Sequence, residues 1–155
     1  MSCDVAASMT LWLAAATVDP HASAQRLLVS SVATIPKSSL AREPLYASIV
    51  SKAKVLKAEV EHYKAAGATP DLTVFKGKVE ALAALDMKGH LDLAARGTDG
   101  DLKCILKGIS QDLPKRLAEM AAATTAPARS KALSEMAYLL NDNVEVITAP
   151  PKPPV

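Results

Sequence analysis

The chain has few aromatic side chains: one Trp, one Phe and three Tyr among 155 residues. Trp12, Tyr46, Tyr63, Phe75 and Tyr138 are scattered and do not interleave with a basic patch, so a base-stacking platform for nucleic acid is not expected. A net charge of only +2 is too weak a field to hold a polyanion, and no nucleic-acid partner is expected. The two cysteines, Cys3 and Cys104, fall in neither a CxxC nor a Cys/His metal spacing. They leave two readings open: one bridge in an oxidising compartment, or two free thiols with Cys104 a small buried apolar group.

What the chain does have is aliphatic bulk. Half of its residues are hydrophobic, so a core must be built from Ala, Leu, Val, Ile and Met. Ala, Leu and Lys lose little side-chain freedom in a helix, which favours that state. The length suits one ordinary domain.

Residues 1–41 stand apart, with only four full charges: Asp4, Asp19, Arg26 and Lys37. Met9 to Val18 is a mostly apolar run followed by His21-Ala22-Ser23-Ala24, the pattern of the end of a signal or transfer peptide. The run is short of the roughly 20 apolar residues a membrane span needs. No Lys or Arg precedes it, and Asp4 does, so a buried helix over about 3–17 is the preferred expectation. Asp19-Pro20 then reads as the start of a second short helix ending near Pro36.

Four helical segments follow. In 43–66, Leu45, Ile49, Ala53, Leu56, Val60 and Tyr63 recur at three and four residues and form one apolar stripe, with Pro44 in the first turn and Gly67 just past the end. In 70–96, Thr69 reads as N-cap and Pro70 as the first helical residue, and Leu72, Phe75, Val79, Leu82 and Leu85 carry the period. Lys88-Gly89 is a weak point where a kink or restart is expected. Gly97-Thr98-Asp99-Gly100-Asp101 is a turn, and 99–123 carries Leu102, Ile105, Ile109, Leu113, Leu117 and Met120. Pro114 breaks an established helix, so a kink or new start is expected at Asp112-Leu113-Pro114. In 127–147, Leu133, Met136, Leu140, Val144 and Ile147 hold the period past Asn141-Asp142-Asn143. The proline-rich tail 149–155 reads as extended. The expected fold is all-α: an up-down-up-down four-helix bundle over 42–148, with an apolar helical N-terminal extension over 1–41.

Tests for chemistry assign no catalytic residue, cofactor or metal ligand. His21, His62 and His90 have no nucleophile motif beside them, and there is no GxSxG. A di-metal bundle uses Glu-x-x-His twice, whereas Glu59-Val60-Glu61-His62 supplies it once. The Gly97–Asp101 turn opposes an anion with two carboxylates and lacks the Lys and Ser/Thr of a phosphate loop. It also lacks the distal Glu of a calcium loop. Lys103 and Lys107 are four apart on one helix face, and with Lys115 and Arg116 they form the candidate docking face for an acidic protein partner, or an ordinary solvated surface.

From Leu85 onward the chain carries Asp86-Met87, the turn Arg96-Gly97-Thr98-Asp99-Gly100-Asp101-Leu102-Lys103 into the third helix, the Leu113-Pro114-Lys115 break, and Leu139-Leu140 near the end of an Ala-rich last helix. In these residues it resembles the PsbQ family of small extrinsic four-helix proteins on the lumenal side of photosystem II. They span about 60 of the 155 residues. Met87 stands where the family favours Trp, and residues 1–41 match nothing in it. The resemblance implies a non-catalytic subunit, peripheral to the thylakoid membrane in the lumen, that docks on photosystem II and supports oxygen evolution. The residues alone leave two other functions open: a helical adaptor or regulator in the cytoplasm or periplasm, and a carrier of a small apolar ligand between helices.

Overall fold

The computed structural model describes residues 39–68, 70–97 and 100–149. The expectations for the N-terminal extension and the proline-rich tail lie outside them, as do Cys3 and His21. A short 3-10 turn, Leu40–Arg42, leads into four helices: α1 (Pro44–Ala66), α2 (Leu72–Arg96), α3 (Gly100–Ala122) and α4 (Ala126–Thr148). There is no strand among the described residues, and Val144-Glu145-Val146 is helical.

Each helix end has a local cause. Pro44 opens α1, where a missing N–H matters least. Gly67 closes it at φ 61, its N–H reaching the Lys64 carbonyl while the Ala68 N–H reaches that of Tyr63. The start of α2 differs from the sequence expectation. Asp71, not Thr69, is the N-cap: its carboxylate accepts from the N–H groups of Thr73 (2.9 Å) and Val74 (3.5 Å), and buried Pro70 lies before the helix. Gly97 ends α2 at φ 64, and Thr125 caps α4 by accepting from the Ala128 N–H at 3.3 Å.

Neither helix restarts at the two points where a kink or restart was expected. α2 runs through Lys88-Gly89 without a new start, and Gly89 answers a packing need. A Cβ there would lie 3.1 Å from Leu106 Cδ1, 3.3 Å from Ile49 Cδ1 and 3.4 Å from Tyr46 Cε1. Without it, α1 and α3 close in on α2 at this level. α3 likewise continues through Pro114, with no new start at Asp112. Pro114 is exposed while its neighbour Leu113 is fully buried, so the stripe holds the helix together across the lost backbone bond.

Contacts fix the direction of each helix. Tyr46 near the start of α1 meets Asp92 near the end of α2, and Glu59 meets Lys78 further along, so the two run antiparallel. His90 on α2 meets the Lys103 backbone at the start of α3, and Lys57 on α1 reaches Asn141 on α4. Helices adjoin in the order α1, α2, α3, α4 and back to α1, which is the expected up-down-up-down bundle; α2 and α4 lie across a diagonal. α1 and α2 meet least intimately of the four neighbouring pairs.

The core joins the four stripes. Tyr46, Ile49, Leu56 and Val60 of α1 pack with Phe75, Val79 and Leu82 of α2, Leu106 and Leu113 of α3, and Met136, Leu140 and Ile147 of α4. On α3, Leu106 takes the fully buried place expected of Ile105, which is only partly buried. Leu40 and Ala41 also pack on the core, so the packed body begins just before the expected boundary at residue 42.

Candidate docking surfaces and a buried acid

The four basic residues singled out in the sequence do not form one face. Lys103 and Lys107 share a side of α3 and are half-buried, and no carboxylate among the described residues pairs with either. Lys115 is paired with Asp112 at 2.7 Å and Arg116 with Glu119 at 2.7 Å, each one helical turn away. Their charges are compensated locally, and the helical period turns them away from the Lys103 side.

The other chemistry-bearing residues have structural employment. Glu59 accepts an ion pair from Lys78 at 2.7 Å, while His62 is exposed and packs edge-on to Tyr63 with ring centroids 6.0 Å apart. His90 Nδ1 lies 2.7 Å from the Lys103 carbonyl, so that nitrogen carries the proton and clasps the end of α2 to the start of α3. Cys104 is half-buried and disulfide-bonded. Among the described residues no three His, Cys, Asp or Glu side chains converge as metal ligands would.

At one end of the α1–α2 seam, Arg96 grips the Glu43 carboxylate with both terminal nitrogens, at 3.1 and 2.6 Å, and reaches Asp92 at 2.8 Å. The buried Tyr46 hydroxyl donates to Asp92 Oδ2 at 2.7 Å, and the Arg96 guanidinium lies 5.9 Å from the Tyr46 ring centroid. Burial, reinforced by the Asp92 carboxylate, pushes the Tyr46 phenol above its ordinary range. This cluster ties the two chain directions together where α1 begins.

Two features have no counterpart among the sequence expectations. Asp86 and Asn143 are each fully buried, and Asn143 Nδ2 donates to Asp86 Oδ2 at 2.8 Å across the α2–α4 diagonal. Burial raises the Asp86 carboxyl to about 7, with the Asn143 hydrogen bond pulling the other way. The signal was present: Asp86 falls on the stripe Phe75, Val79, Leu82, Asp86, Leu93, and Asn143 falls on Met136, Leu140, Asn143, Ile147. Val144, expected on that stripe, is only partly buried.

The second feature is an open groove of about 520 Å³ along the α1–α2 seam. Its walls are Val55 and Leu56 from α1 and Val74 from α2, with Ser51, Gly77 and Ala81 too small to fill the space between them and Lys52 and Lys78 at the rim. Val55 is 60% exposed and Val74 56%, although both are aliphatic. No helix among the described residues is long and apolar enough to cross a membrane. Comparison with family models, with curated proteins and with solved structures finds no match.

Proposed function

We propose that this protein is a non-catalytic docking subunit, held on a larger membrane-bound complex of the photosynthetic type in the manner of the PsbQ family. The observation that carries the docking reading is the Lys103/Lys107 face: two cations on one side of α3 with no carboxylate partner among the described residues, while Lys115 and Arg116 already have theirs. Cations left uncompensated on a helix surface suit an acidic partner surface, where complementarity sets encounter rate and register. Two further features support the photosynthetic form of the reading. α2 ends at Gly97 and α3 opens at Gly100, where the resembling turn falls, and Leu139-Leu140 lies within the last helix. On this reading the protein is peripheral to the thylakoid membrane, on its lumenal side.

The test is retention of the tagged protein on solubilised thylakoid membranes at low and high salt, read by mass spectrometry. Photosystem II subunits are expected at low salt and lost at high salt. The double substitution Lys103→Glu, Lys107→Glu is expected to abolish that retention while leaving the thermal midpoint near wild type. Retention of the double variant equal to wild type removes this face from the reading. Recovery of an unrelated complex keeps the docking role and discards the photosynthetic partner.

A further inference from the structure

We infer that the α1–α2 groove is a second docking site, shaped for an amphipathic helix of a partner protein whose apolar stripe is flanked by acidic residues. The inference deepens the docking reading but rests on different residues from the Lys103/Lys107 face.

Three independent features point to it. The first is exposed aliphatic surface in one place: of the four large hydrophobic side chains most exposed among the described residues, Val55 and Val74 both line this groove. Apolar surface gathered in a concavity marks an interaction site far more than the same residues scattered singly. The second is Gly77. It sits inside α2, where glycine costs about 1 kcal/mol relative to alanine. Unlike Gly89, it has no neighbour among the described residues within 4 Å of where a Cβ would stand, so no packing contact among them requires it. Its effect is outward, because it lowers one wall of the groove to backbone level and lets another helix approach closely.

The third feature is charge, and it selects the occupant. α1 carries four lysines against two glutamates. At the rim, Lys52 has no carboxylate partner among the described residues, while Lys78 shares Glu59 at 2.7 Å. A second copy using the same groove would set these lysines against lysines, so self-pairing is disfavoured. A purely apolar small ligand would leave the lysines unused and would sit in a trough open to solvent, whereas ligand pockets bury most of their guest. A helix laid along the seam, with small or aliphatic residues facing Val55, Gly77 and Val74 and Glu or Asp on its flanks, satisfies both the walls and the rim.

The experiment uses the full chain, labelled with nitrogen-15, and two synthetic helical peptides. They share one Leu/Ala stripe and differ only in flanks of Glu or of Lys. The Glu-flanked peptide is expected to shift the amide signals of Ser51, Val55, Val74, Gly77 and Ala81, and to bind about tenfold more tightly than the Lys-flanked one. Gly77→Ala is expected to raise the thermal midpoint yet weaken the peptide severalfold, a pairing of signs that a merely structural glycine does not give. Val55→Asp, at an exposed position, is expected to abolish binding while the protein remains folded. Equal binding of the two peptides, shifts centred elsewhere, or Gly77→Ala binding as tightly as wild type overturns the inference. So does a fatty acid shifting the same amides while the Glu-flanked peptide shifts none. Lys103→Glu with Lys107→Glu is expected to leave peptide binding unchanged, so failure here and failure of the α3 face are read separately.

Discussion

Asp86 and Asn143 meet on the diagonal of the bundle, with Asn143 Nδ2 donating to Asp86 Oδ2 at 2.8 Å and neither residue exposed to solvent. One oxygen on each side, Asp86 Oδ1 and Asn143 Oδ1, has no hydrogen-bond partner. Both are acceptors when Asp86 is ionised. A proton on Asp86 Oδ1 turns one of the two into a donor, and burial, which penalises the ionised form, raises the carboxyl to about 7.

The sign of the pH dependence follows. The folded-state carboxyl titrates at about 7, above its ordinary 3.8, so the folded state holds the proton more tightly. The stability from this group is fully present below about 3.8, declines as pH rises, and is gone above about 7. The whole change is on the order of a few kcal/mol. Urea unfolding at pH 5 and pH 8 should show wild type weaker at pH 8. Asp86→Asn replaces the acid with a permanent donor and should be more stable than wild type at pH 8, with a flatter profile. Parallel profiles for the two proteins would show that Asp86 does not titrate in this window.

Two glycines in helix interiors should respond oppositely to alanine. At Gly89 the new methyl meets Leu106, Ile49 and Tyr46 at 3.1 to 3.4 Å, and overpacking should outweigh the gain in helix propensity by about 1 kcal/mol. At Gly108 nothing among the described residues lies within 4 Å of a Cβ, and alanine should stabilise by about 0.5–1 kcal/mol. Denaturant midpoints measure both. A stabilised Gly89→Ala protein would mean the three side chains yield more readily than their burial suggests.

Tyr46→Phe removes the 2.7 Å bond to Asp92 without leaving that carboxylate alone, since Arg96 holds it at 2.8 Å. The expected loss is about 1 kcal/mol. Arg96→Lys keeps the charge but not the two-pronged grip on Glu43, and at this exposed site the small loss of stability should fade with salt. A double-mutant cycle between Tyr46 and Arg96 should show coupling through Asp92; strict additivity would dissolve the cluster into independent contacts.

Asp71→Ala should destabilise by about 1 kcal/mol, because the carboxylate accepts from two otherwise unpaired N–H groups of α2. Asp71→Ser should recover most of the loss. If Asp71→Ala is neutral, the start of α2 is held by buried Pro70 and the core instead of by its cap.

The sequence by itself determined the four helices, because each carries its own apolar period and its own start and stop residues. Ile49, Ala53, Leu56 and Val60 are buried as the first stripe required, and Gly67 and Gly97 end their helices at positive φ. These are local properties, written within one turn or one stripe. The tertiary structure alone decided everything that depends on a second helix. Gly89 reads as a weak point until Leu106, Ile49 and Tyr46 are placed against it. Asn143 reads as part of a polar stop until Asp86 meets it across the core. Lys115 and Arg116 look available until Asp112 and Glu119 claim them. The groove between Val55 and Val74 exists only because two helices leave it open: period along one helix says which side faces inward, not how closely its neighbour packs.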